Sequence, residues 1–190
     1  MTAMNKQEYR KMLRNRRCTK QERDVQSDAI CRHILNADIF RRSKTIAAYC
    51  ALPHEADITR VISAALELGK RVALPLCGPA PEMTFRCISS LNELQIGRYG
   101  IPAPPEHALL CDAAELDLIL VPLEAIDHYG FRLGKGGGYY DCLLSKTGAY
   151  AMGCALPYQM VDELPHDVWD KPLHACISTE GIREYCRLEP

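Results

Sequence analysis

The chain of 190 residues predicts an α/β fold, a single-domain three-layer α/β/α sandwich with a mostly parallel central sheet. Two observations predict it. Short, continuous apolar runs, the pattern of strands buried on both faces, alternate with segments of helical periodicity. A glycine-rich stretch then falls between the most apolar run and a short helix. Sheets of this class bind ligands there, beyond the carboxyl ends of their strands.

Taken in order, the basic N-terminal segment 5–17 reads as a helix. Thr19-Lys20-Gln21-Glu22 is a capping box that opens a second helix running to about Leu35. Thr45 to Leu52 is a mostly apolar strand. Ile58, Val61, Ile62, Ala65 and Leu66 line one helical face, and Gly69 ends that helix. Val72–Leu76 is a second buried strand, and Met83–Ile88 a third, placed at an edge by the prolines before it. Leu116–Val121 is the most apolar run and is placed centrally. Tyr139 to Lys146 reads as a short helix closed by Gly148, and 149–155 and 175–179 as two further strands. Ile101-Pro102-Ala103-Pro104-Pro105 is an extended connector too short to separate domains, so residues 1–190 form one unit.

Composition narrows the function. A formal net charge of −1 gives no overall field for nucleic acid, and the cations of the first helix have few aromatic residues among them. No apolar run approaches the roughly 18 residues of a membrane span, and the N-terminus lacks the apolar centre of a signal peptide. A cytoplasmic monomer that binds a small molecule, with no nucleic-acid or membrane partner, is the expectation. The ten cysteines include no C-x-x-C pair, so they read as small reduced hydrophobes rather than as zinc or redox motifs.

The chemistry concentrates in Gly130-Phe131-Arg132-Leu133-Gly134-Lys135-Gly136-Gly137-Gly138-Tyr139-Tyr140-Asp141. Glycines let backbone N–H groups wrap an anion, Arg132 and Lys135 add positive charge, and Asp141 can hold a metal ion. A Walker loop would need Ser or Thr after Gly134-Lys135, where Gly136 stands. A dinucleotide fingerprint would need a third glycine where Tyr139 stands. The stretch is therefore a phosphate site of another kind.

That stretch resembles the signature of the 5-formyltetrahydrofolate cyclo-ligase family, also called methenyltetrahydrofolate synthetases. Lys6 with Arg10, Leu52-Pro53-His54-Glu55-Ala56-Asp57, Arg98-Tyr99-Gly100-Ile101-Pro102 and Trp169-Asp170-Lys171-Pro172-Leu173 resemble further family segments in the same order. The resemblance implies an ATP- and magnesium-dependent ligase of one-carbon metabolism. Such an enzyme converts 5-formyltetrahydrofolate to 5,10-methenyltetrahydrofolate and releases ADP and phosphate. It implies that Lys6, Arg10, Arg132, Leu133, Gly134, Lys135, Gly136, Gly137, Gly138, Tyr139 and Tyr140 bind ATP, with Arg132, Lys135 and Tyr139 serving the chemistry. Cys50, Glu55 and Tyr99, with Lys135, Gly136, Gly137, Gly138 and Tyr139, would meet the folate, and Asp141 and Asp170 the magnesium. His174 departs from the pattern, where the family usually has an acid. Two other functions stay open at this point: a nucleotide-binding relative without ligase activity, and a nucleic-acid module built on the basic first helix.

Overall fold

The structure, a computed structural model, describes residues 4–185. Its helices are α1 (Lys6–Arg14), α2 (Lys20–Asn36), α3 (Asp38–Arg42), α4 (Thr59–Glu67) and α5 (Tyr139–Leu144). The strands are β1 (Thr45–Ala47), β2 (Arg71–Cys77), β3 (Met83–Ile88), β4 (Gln95–Ile96), β5 (Pro102–Ala103) and β6 (Leu110–Cys111). Then come β7 (Leu118–Val121), β8 (Ala125–Ile126), β9 (Arg132–Leu133), β10 (Tyr150–Cys154), β11 (Ala175–Ser178) and β12 (Gly181–Glu184).

Eight strands form one sheet in the order β12-β11-β10-β7-β1-β2-β3-β6. Its middle, from β11 to β2, is parallel. β12 on one side and β3 with β6 on the other are antiparallel. The mostly parallel α/β sheet expected from the apolar runs is therefore the fold. Strand alternation explains its layers. Leu118 and Leu120 of β7 face the core built with α2, α3 and α4, whereas Ile119 and Val121 face the opposite core, which includes Leu143 of α5. All four β7 residues are fully buried, so truncating Leu120 to Ala costs roughly 2–5 kcal/mol.

Local chemistry sets the helix starts. Thr19 caps α2, and Glu22 reaches back to the Thr19 N–H at 2.8 Å, completing the box read from sequence. Asn5 and Glu8 do the same for α1. α4 ends at Leu68, and Gly69 takes the left-handed φ of 70° that a glycine adopts without strain.

Several features differ from the sequence expectation. α1 stops at Arg14, where Asn15 becomes the C-cap, rather than at Arg17. β1 ends at Ala47, although the Ala48 N–H still bonds the Ala73 carbonyl of β2 at 3.0 Å, and Tyr49, Cys50 and Leu52 then form a wall of the cavity described below. Met83–Ile88 is not the edge, because β6 pairs outside it. The glycine stretch does not follow β7 directly. A small β8–β9 hairpin intervenes, its turn held by buried Asp127, which accepts from the N–H groups of Tyr129 and Phe131 at 2.9 Å each and of Leu164 at 3.1 Å.

Candidate active site

A cavity of about 1070 Å³ opens at the carboxyl ends of the central strands, with the glycine loop as one wall. Gly136 and Gly138 hold φ values of 96° and 68°, which L side chains rarely adopt. A Cβ on Gly137 would stand 2.7 Å from the Tyr139 ring, so this position also requires glycine. α1 lies against the loop. Arg10 Nε donates to the Gly134 carbonyl at 2.8 Å, and its guanidinium sits over Gly136. Lys6 Nζ, one turn earlier, bonds Asp167 Oδ2 at 2.7 Å and Asp170 Oδ2 at 2.5 Å. Burial works against the Lys6 charge, but these two carboxylates outweigh it and hold its pKa above the ordinary value. Arg10 thus ties the first helix directly to the glycine loop, and Lys6 ties it to the Asp167–Asp170 segment.

The two cations of the loop behave differently. Arg132 is 5% exposed, donating through Nη2 to Asp141 Oδ1 at 2.8 Å and through Nη1 to the Lys171 carbonyl at 2.9 Å. It is a fixed charge in the wall. Lys135 is 44% exposed and reaches across to Glu55 Oε1 at 2.8 Å. It is the mobile charge of the pair.

Glu55 is buried, and its second oxygen accepts from the Leu52 N–H at 2.9 Å. Cys50 lines the same wall, and burial pushes its thiol up to about 11. Tyr139 Oη donates to the Gly78 carbonyl at 3.1 Å and lies 3.2 Å from Tyr99 Oη. That phenol contact, with partial desolvation, pushes the Tyr139 hydroxyl up to about 12. Tyr99 itself holds a left-handed φ of 64°, on the turn between β4 and β5. Leu133 and Tyr140 line the cavity as well. Leu133 is buried in a core cluster with Leu13 of α1, and burial drives the Tyr140 hydroxyl well above its usual pKa. Both positions anchor the loop more than they face a ligand.

Asp141 and Asp170 both line the cavity. Among the described residues there is no cluster of three or more His, Cys, Asp or Glu side chains that could hold a metal ion by itself. Two carboxylates suit magnesium when phosphate oxygens and water supply the other ligands. The donor set therefore fits a metal that arrives with a nucleotide. The cavity also contains a residue the sequence reading missed. Glu124, just past β7, is 8% exposed and takes a hydrogen bond from His54 Nε2 at 3.1 Å, with Arg17 Nη2 at 3.7 Å. Its signal was a lone carboxylate at the carboxyl end of the most apolar strand. No helix among the described residues is long and apolar enough to cross a membrane.

Comparison with known proteins gives the family and the fold. The model of the 5-formyltetrahydrofolate cyclo-ligase family matches residues 2–179. The 5-formyltetrahydrofolate cyclo-ligase of Escherichia coli K12 is 31% identical over 92% of this chain and 100% of its own. A probable 5-formyltetrahydrofolate cyclo-ligase of Schizosaccharomyces pombe is 30% identical over 84% of this chain and 86% of its own. The solution structure of Aquifex aeolicus 5,10-methenyltetrahydrofolate synthetase superposes with a TM-score of 0.86 at 30% identity, covering 98% of this chain and 96% of that one. The Mycoplasma pneumoniae 5,10-methenyltetrahydrofolate synthetase shares the fold, with a TM-score of 0.75 at 22% identity over 93% of this chain and 99% of that one.

Proposed function

The chain belongs to the 5-formyltetrahydrofolate cyclo-ligase family, and from that premise we propose that it converts 5-formyltetrahydrofolate to 5,10-methenyltetrahydrofolate at the expense of ATP. One observation supports this most strongly. A single cavity carries candidate phosphate-binding groups (the glycine loop, Lys6, Arg10, Arg132, Lys135) together with a buried carboxylate and two tyrosines (Glu55, Tyr99, Tyr139). A donor and an acceptor of a phosphoryl group fit there side by side.

The formyl oxygen of an amide is a poor leaving group. Phosphoryl transfer makes it a good one: a bond forms between that oxygen and the γ-phosphorus, and the bond to ADP breaks. N10 of the folate then attacks the activated carbon, loses its proton, and phosphate departs as the ring closes. Such transfer needs positioning and charge neutralisation more than covalent help from the protein. The loop N–H groups and Arg10 receive the polyphosphate. Arg132, fixed by Asp141, and mobile Lys135 neutralise the charge that develops. Tyr139, between loop and α5, packs against the pteridine and orients N10. Magnesium, held by Asp141 and Asp170 together with phosphate oxygens, would supply further charge neutralisation.

Lys6 and Arg10 turn toward Asp170 and the loop rather than outward, which favours a small-molecule site over a nucleic-acid surface. All nine described cysteines are free thiols, the state that a reducing cytoplasm maintains. The deciding experiment mixes the protein with 5-formyltetrahydrofolate, magnesium and ATP and follows the absorbance of the methenyl product. ATP binding without product would instead identify a nucleotide-binding relative that lacks the ligase step.

A further inference from the structure

The folate side of the cavity holds two buried carboxylates, and they are not equally engaged. Glu55 uses one oxygen for the Leu52 N–H and the other for Lys135. Glu124 uses Oε1 for His54 Nε2 at 3.1 Å, while among the described residues its Oε2 has only Arg17 Nη2 at 3.7 Å, beyond hydrogen-bond reach. His54 is itself held, because the Tyr158 hydroxyl donates to its carbonyl at 2.7 Å. The Glu124 N–H donates to the Leu133 carbonyl at 2.8 Å, which joins this residue to the strand that leads into the glycine loop. Glu124 is therefore an aimed, buried carboxylate in the cavity wall with acceptor capacity left open. Glu124 Oε2 is open to the cavity, so an N–H donor of a bound ligand can reach it.

The reduced pteridine offers N–H donors on two sides: the amide N–H with its neighbouring amino group, and the N8–H of the reduced ring. One carboxylate serves one side. We infer that Glu124 is a second pteridine-reading carboxylate, which accepts an N–H of the folate ring while His54 fixes its orientation. This rests on the cyclo-ligase reading and adds a specificity residue to it.

The test compares wild type with Glu124→Gln, which keeps size and can still meet His54. The folate KM should rise roughly tenfold to a hundredfold, the usual worth of a hydrogen bond to a charged group. The ATP KM should stay close to wild type. Two substrate analogues locate the contact, one lacking the 2-amino group and one with carbon in place of N8. Wild type should discriminate against both, and Glu124→Gln should lose its discrimination against one of them. Glu124→Asp keeps the charge but withdraws it by one methylene, so it should fold and still show the raised folate KM. An unchanged folate KM in Glu124→Gln overturns the inference. So does a raised KM with both discriminations intact, because the carboxylate would then only support the wall. An inactive wild type would overturn the cyclo-ligase reading itself, which is a distinguishable failure.

Discussion

Lys135 Nζ stands 2.8 Å from Glu55 Oε1, so the expected phosphate cation and the expected pteridine carboxylate are partners of each other. The pair spans the two halves of the cavity. If Lys135 serves the polyphosphate as proposed, a bound nucleotide would compete for the lysine and release one oxygen of the buried glutamate for N–H donors of the folate. Each substrate would then prepare the site for the other, with reciprocal effect by linkage. A non-hydrolysable ATP analogue should tighten folate binding, by about 5–150-fold if the coupling is of ordinary size. Titration calorimetry with and without the analogue measures it. In Lys135→Met the coupling should vanish, and turnover should fall far more than thermal stability does. A core-sized loss of Tm with unaltered turnover would contradict this.

The carboxylates proposed for magnesium are each already paired to a cation, Asp141 to Arg132 and Asp170 to Lys6. A dication must share them with those groups. Asp141→Asn keeps the shape and removes a charge, so the magnesium concentration for half-maximal rate should rise several-fold. A wild-type magnesium titration would leave Asp141 with the single task of holding Arg132.

The glycine loop was legible because its residue types are constrained locally. Positive φ at Gly136 and Gly138 and the ring beside Gly137 all disfavour a larger residue. The β7 core was legible for the same kind of reason, since four apolar residues in a row fit a strand buried on both faces. Side-chain pairings were not legible. Nothing in Arg132 announces Asp141, and nothing in Glu124 announces His54, because tertiary packing makes those pairs. The β8–β9 hairpin escaped notice because two-residue strands are too short to show a period of two. The cavity wall beyond Ala47 read as strand because its composition stays apolar although the regular strand pairing ends there.

The Tyr139 and Tyr99 hydroxyls lie 3.2 Å apart across the mouth of the cavity. Tyr139 also donates to Gly78, so it bridges loop, turn and strand end. Tyr139→Ala should weaken folate use roughly three- to tenfold from lost aromatic packing alone. Tyr139→Phe keeps the ring and should lose less. Steady-state kinetics on both variants separates packing from orientation: a fall in kcat beyond the KM effect shows that the ring also aligns N10. Unchanged folate KM and kcat in Tyr139→Ala would make the residue purely structural.

Glu124 makes stability depend on pH in a direction that can be stated in advance. Burial alone would raise its pKa. The hydrogen bond and charge of His54, with Lys135 and Arg17, outweigh burial and hold the carboxyl below its ordinary 4.5. A carboxyl with a lowered folded pKa binds its proton less readily when folded than when unfolded. Its contribution is therefore complete above the unfolded value and drains away as pH falls through the lower folded one. Thermal melts from about pH 6 down to about pH 3 should show wild type losing Tm more steeply than Glu124→Gln, whose side chain has no proton to take up in that window. Parallel curves for the two proteins would mean that the cations around Glu124 do not hold its charge in solution, and that the wall of the cavity is organised by other contacts.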